Sequence, residues 1–193
     1  MARADNYSAI VAACRALSEK GVSAAADLIA HSYPFVPPAQ AGRRYGPEQK
    51  MALFIRDGFV DRYSGERLLL PPVLDVLHLA LPDSVPWTSG WKASATHPSF
   101  NDLVATVDHI EPVTRNGVDS LANWVTTSMA RNFAKSNFTL QELGWSLHPP
   151  GSFAEWDGLS RWFVAYYATH PELAACARVR QWYKPTVAGL AAV

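Results

Sequence analysis

Cysteine is scarce in this chain. The 193 residues hold two, Cys14 and Cys176, far apart and without a CxxC partner. That argues against a disulfide framework and a thiolate zinc cage, and makes a reducing compartment the default. Net charge is lacking too, because seventeen basic residues are balanced by seventeen acidic ones. A coat of positive charge for nucleic acid is excluded, whereas a local basic patch is not. No apolar run approaches the roughly 18 to 20 residues that a membrane span needs, so no membrane partner is expected. The first residues, "MARADNYSAIVAACRALSEKG", interleave charges and lack the apolar stretch of a signal peptide. A cytoplasmic location is the expectation.

What the chain does have is apolar content, 49% of its residues. That is enough for one well-packed domain, read here as a single unit over 1–193 with three parts. Residues 1–45 form an N-terminal helical segment and loop, with Gly21 splitting 6–31 into two Ala-rich helices. The stretch 32–44 is rich in proline and small residues and reads as a linker. Residues 47–147 form the central region. It begins with a helix that starts at a proline and ends before a glycine (47–58). Two short strands (59–72) and a buried helix (72–81) are expected next, followed by an irregular loop. Residues 148–193 hold two aromatic-rich helices, over 153–169 and 171–183. The seven tryptophans sit mostly in apolar helical patterns, so core packing is a better reading than base stacking.

One segment of the central region stands out. Residues 107–137 read "VDHIEPVTRNGVDSLANWVTTSMARNFAKSN". Two strand-like pieces, "ATVDHI" and "LANWV", flank an Asn-Gly turn signal, and a helix follows with a Thr or Ser as its cap. Asp108 and His109 are neighbours on a strand, so their side chains point to opposite faces and suit different roles. His109 titrates near neutrality and can take a proton from water. Asp108 and the amide oxygen of Asn132 are hard ligands. They suit a divalent cation, Mg²⁺ first and Mn²⁺ second, with water and phosphate oxygens completing its shell. Asn123, facing His109 across the hairpin, can hold the loop or the imidazole by hydrogen bonding. Lys135, one turn after Asn132, and Arg115 in the turn are candidate phosphate contacts. This chemistry fits hydrolysis of a phosphodiester.

These residues resemble the HNH endonuclease family. "DHIEPVTRNG" looks like its Asp-His-Ile-x-Pro opening, with Asn116 where a glycine often sits. The spacings of 14 residues from His109 to Asn123 and 9 from Asn123 to Asn132 are ordinary for the family. The resemblance implies an α+β fold: a ββα-metal core of hairpin and helix, wrapped in further helices. It implies a metal-dependent endonuclease with DNA as the expected substrate and RNA left open. A homodimer and a restriction or defence role come with the resemblance as options. A second match, "RDGFVDRYSG" (56–65), is similar to the segment that leads into the family's zinc knuckle. Its four thiolate positions hold Asp61, Ser64, Ser128 and Arg131, so no structural zinc is expected. An Asp61–Arg131 ion pair, helped by the two serine hydroxyls, is expected to replace it. The alternatives are a binding module of the same shape without turnover, and a nuclease toxin.

Overall fold

The computed structural model describes residues 6–35, 45–90 and 92–193. Most of the expected linker, including Arg43 and Arg44, lies outside the described residues, as does Trp91. The chain divides into two compact units, Met1–Gln40 and Ala41–Val193.

In the first unit, α1 (Asn6–Lys20) and α2 (Val22–Ser32) meet at Gly21, whose φ of +87° favours a residue without Cβ. Ala13 and Ala16 are the side chains buried in this hairpin, and small residues of this kind let two helices lie close.

The second unit begins with α3 (Pro47–Arg56), which has proline in its first turn. Gln49 reaches back from that turn to accept the Gly46 N–H at 3.0 Å. The helix buries Met51, Leu53 and Phe54 completely or nearly so. Full burial of each such side chain is worth about 1.5–3 kcal/mol. After α3, Gly58 lies so close to Gly151 that a Cβ would come within 2.3 Å of that backbone.

The expected pair of strands over 59–72 is reduced to two isolated bridges, Val60 with Arg67 and Leu69 with Val104. A tight turn closed by Gly65 N–H on Asp61 O at 2.8 Å leaves no room for a ladder.

Then come α4 (Pro71–Ala80), α5 (Ser99–Asp102) and β1 (Ala105–His109). The strand β2 (Trp124–Ser128) pairs antiparallel with β1, Ala105 opposite Ser128 and His109 opposite Trp124. It is followed directly by α6 (Met129–Lys135). The second strand therefore runs three residues further than its sequence suggests, to the cap of α6. Thr126 and Thr127 are β-branched and pair with β1, and Ser128 caps α6 by accepting the Arg131 N–H at 3.2 Å.

The chain ends with α7 (Leu140–Leu143), α8 (Ser160–Thr169), a 3-10 turn (Pro171–Ala175) and α9 (Ala177–Ala191). The helix expected from 153 starts only at Ser160. The Asp157 carboxylate accepts the N–H groups of Leu159 and Arg161, both at 3.0 Å, and fixes the start there.

The core joins α3, α4, α8 and α9 to the sheet through Phe54, Phe59, Val73, Val107, Phe163 and Trp182. The unit is thus helices around one small antiparallel sheet, an α+β arrangement. No helix among the described residues is long and apolar enough to cross a membrane.

Candidate active site

The hairpin is held from below by two aspartates of the segment 56–65, both wholly buried. The Asp57 carboxylate accepts the Thr126 N–H at 2.8 Å, and Arg56 and Arg62 donate to it at 2.9 and 3.0 Å. Asp61 accepts the N–H groups of Tyr63 at 2.9 Å and Ser128 at 2.8 Å, and the Thr127 hydroxyl at 3.1 Å. Two carboxylates therefore fasten the strand that leads into α6.

This corrects the expected replacement for the zinc knuckle. No ion pair joins Asp61 to Arg131 among the described residues, and Arg131 is exposed. The Asp61 carboxylate lies nearer to two backbone amides than to any guanidinium, and buried amides need an acceptor. Ser64 turns outward to Glu66 at 3.1 Å, and Ser128 serves as the cap of α6. Three of the four side chains are thus taken up by hydrogen bonds, Asp61 across to β2 and the two serines locally, while Arg131 contributes only its backbone N–H.

Above this clamp, Asp108, His109 and Asn132 line one cleft of about 280 Å³, together with Pro112, Thr114 and Phe133. Neighbours on a strand point to opposite faces, yet both Asp108 and His109 border the cleft because β1 ends there. Asn132 is placed by its own Nδ2, which donates to Val107 O at 3.1 Å and ties α6 to β1. Its amide oxygen is the atom left for a ligand. Phe133 stands at the rim, 68% exposed.

Asp108 is held on one oxygen. Its Oδ2 accepts the Tyr63 hydroxyl at 2.7 Å and pairs with Lys135 Nζ at 3.0 Å. Burial first, then the Asp108 charge, push the Tyr63 phenol above its ordinary range, so it stays protonated and donates. Lys135 is fully buried and also donates to His109 O at 2.7 Å. The expected phosphate contact is corrected: Lys135 is an interior cation that ties the strand end to α6. Arg115 pairs with Glu142 at 2.8 Å, each side chain about a third exposed. Hydrogen bonds from Thr139 and Arg115 hold the Glu142 carboxyl below its ordinary range.

His109 is 3% exposed and has a partner that its sequence does not announce. Its Nε2 lies 2.7 Å from Asp119 Oδ1, and the Trp124 indole N–H reaches the same oxygen at 2.8 Å. A carboxylate has only acceptors, so Nε2 carries a proton, and in the neutral imidazole Nδ1 is then the nitrogen with the lone pair. The Trp124 indole lies 3.1 Å from Nε2 as well, but it too only donates, and its proton belongs to the carboxylate.

Asn123 fastens the loop, as expected. Its Oδ1 accepts the Glu111 N–H, and its Nδ2 donates to Glu111 O and Val118 O, all at 2.9 Å. Within the loop Asn116 adopts φ +69°, and a Cβ on Gly117 would fall 1.9 Å from Glu111 O. The turn thus needs both residues of its Asn-Gly pair.

Three partners were not legible. Asp119 follows Asn-Gly-Val and looks like turn chemistry. Tyr63 lies 45 positions from Asp108. Asp57 is visible only as part of an Arg-Asp-Gly run.

Among the described residues no group of three or more His, Cys, Asp and Glu side chains forms a metal cage. Compared with known proteins, the chain matches no family model, no curated sequence and no solved structure.

Proposed function

We propose that the chain is a metal-dependent endonuclease of the HNH type, hydrolysing phosphodiester bonds, with DNA as the preferred substrate. One observation carries the reading. A carboxylate, an imidazole and a carboxamide meet in one cleft where a hairpin joins a helix. The order strand, turn, strand, helix that places them is that of the ββα-metal core which the sequence resembles.

The donors suit a hard dication. Asp108 Oδ1 and the Asn132 amide oxygen are both oxygen ligands at the cleft, and neither is soft. Lys135 beside Asp108 cancels the carboxylate charge, so the pair attracts a dication weakly until a phosphate arrives. Bound there, Mg²⁺ or Mn²⁺ supplies charge neutralisation at the phosphate and the departing oxygen.

The chain's own residues do the rest. His109 takes a proton from the attacking water on Nδ1, while Asp119 holds Nε2 and favours the imidazolium that forms. Trp124 keeps the Asp119 oxygen in place. Tyr63 and Lys135 hold Asp108 in one orientation. Asn123 fixes the loop that frames the cleft.

The Lys135–Asp108 pair also favours a second reading, a nucleic-acid-binding module without turnover, because it partly neutralises a metal ligand. One experiment separates the two: supercoiled plasmid incubated with the protein and Mg²⁺ or Mn²⁺, with and without EDTA, beside His109→Gln. The nuclease reading expects metal-dependent nicking that EDTA and His109→Gln both remove. Intact plasmid under both metals refutes it and leaves the binding module.

A further inference from the structure

A second cleft, of about 330 Å³, opens between α3, α4 and α9 beside β1, and both Lys50 and Arg178 line it. Lys50 is half-buried on α3. Its ammonium lies 5.6 Å from the centre of the Tyr45 ring, and no carboxylate among the described residues comes within ion-pairing distance. Arg178 is pinned from two sides. Its guanidinium lies 3.4 Å from the centre of the Trp87 ring, and its Nε is 3.1 Å from Asp75 Oδ1. That N–H is not aimed at the Asp75 oxygen and makes no hydrogen bond, so the contact is electrostatic only. Two cations and one carboxylate leave the cleft with one net positive charge, and Gln181 adds an amide to its lining.

We propose that this cleft is a phosphate-binding subsite, with Lys50 as its point charge and Arg178 as a preset fork. A rigid guanidinium and an ammonium suit the tetrahedrally placed anionic oxygens of a phosphate group. Half-withdrawing Lys50 from water with only the Tyr45 ring beside its ammonium disfavours the charge, and burial lowers its pKa accordingly. A methionine would fill the same volume without that cost. The ammonium therefore needs a ligand rather than a role in the fold.

Tyr45 links the subsite to the first cleft. Its ring lies 5.1 Å from Trp124 and 6.3 Å from His109, centre to centre. A nucleic-acid strand rises about 3.4 Å per phosphate, so a strand engaged at His109 would bring neighbouring phosphates to the side of the molecule where Tyr45 and Lys50 lie. The phosphate chemistry stands alone. Its assignment to a strand engaged at His109, rather than to a free nucleotide or phosphate, rests on the nuclease reading.

The test uses the full chain in EDTA, so that nothing is cut. Two probes are titrated: a fluorescein-labelled DNA duplex by anisotropy across a salt series, and inorganic pyrophosphate by calorimetry. Lys50→Met should weaken at least one probe by about tenfold. On duplex it should lower the slope of log K against log salt by about 0.9, one phosphate contact. Lys50→Arg should restore binding, and the Tm of Lys50→Met should equal or exceed that of the wild type.

A loss on duplex assigns the phosphate to a strand, and a loss confined to pyrophosphate assigns it to a soluble ligand. Unchanged affinity for both probes overturns the subsite, as does a joint fall in Tm and affinity. Loss of pyrophosphate binding in a protein that never nicks plasmid keeps the subsite and discards the nuclease.

Discussion

His109 and Asp119 stand 2.7 Å apart, Nε2 to Oδ1, with the Trp124 indole closing on the same carboxylate oxygen. The pair fixes the tautomer of the neutral imidazole, as an aspartate does for a catalytic histidine elsewhere. Asp119→Asn keeps the shape but can offer an N–H where an acceptor is needed. We predict that it lowers kcat by about 10²-fold or more while KM stays within about threefold. Imidazole nitrogen shifts should show the Nε2–H form in the wild type and a mixture in the variant. An unchanged kcat together with unchanged shifts would remove Asp119 from the mechanism.

Asp61 supports the hairpin through backbone amides, and this sets a different expectation from a salt bridge. Asp61→Ala strands the Ser128 and Tyr63 N–H groups and the Thr127 hydroxyl in a buried place. The expected cost is about 3 kcal/mol, a Tm fall of about 6–12 °C for a chain of this size. Arg131→Ala should change stability by less than about 0.5 kcal/mol, since the side chain is exposed. The double variant should match Asp61→Ala. Recovery of stability in the double variant would restore the ion pair that the geometry excludes.

That Asp108, His109 and Asn132 share one cleft is legible, because their spacings place them where a hairpin meets the helix that follows it. The aspartate clamp was half legible. Asp61 stands out as a substituted position, but the type of residue suggests a partner charge, whereas it satisfies main-chain amides. The interior place of Lys135 is not legible, because lysines on short helices are usually solvated. This one has two acceptors, Asp108 and His109 O, that only the folded hairpin assembles. Asp119 was missed because an aspartate after Asn-Gly has an ordinary use in a turn, and nothing local points to a histidine ten residues earlier. The extra residues of β2 were hidden for a similar reason. Thr126 and Thr127 are weak helix formers as well as good strand formers, and pairing with β1 decided between the two.

The buried ammonium beside Asp108 gives a prediction for metal. Lys135→Met leaves the carboxylate without its counter-charge, at a cost of about 3–5 kcal/mol. A dication can then take the place of the lysine. Mg²⁺ or Mn²⁺ should raise the Tm of Lys135→Met in proportion to log concentration once above Kd. The wild type should respond to neither metal nor EDTA in its Tm, although the proposed cleavage should stop in EDTA. A variant whose Tm ignores both metals would show that Asp108 is no ligand.

Lys50 supplies a pH signature independent of any ligand. Burial lowers its pKa in the native state, whereas in the unfolded chain it titrates near its ordinary value of about 10.4. Between those two values the unfolded chain holds more protons, so stability rises with pH across that window. The charged neighbours that share its cleft are the Arg178 guanidinium and the Asp75 carboxyl, whose pKa burial raises; both are common to the wild type and Lys50→Met, so they cancel in the comparison. Tyr45 contributes its ring to the ammonium. Stability measured by denaturant from pH 7 to 10.5 should therefore climb in the wild type relative to Lys50→Met, which has no proton to lose there. The difference should shrink when saturating pyrophosphate holds the ammonium charged, because the ligand returns the native pKa toward its ordinary value. Parallel profiles for the two proteins without ligand would mean that Lys50 is solvated like any surface lysine.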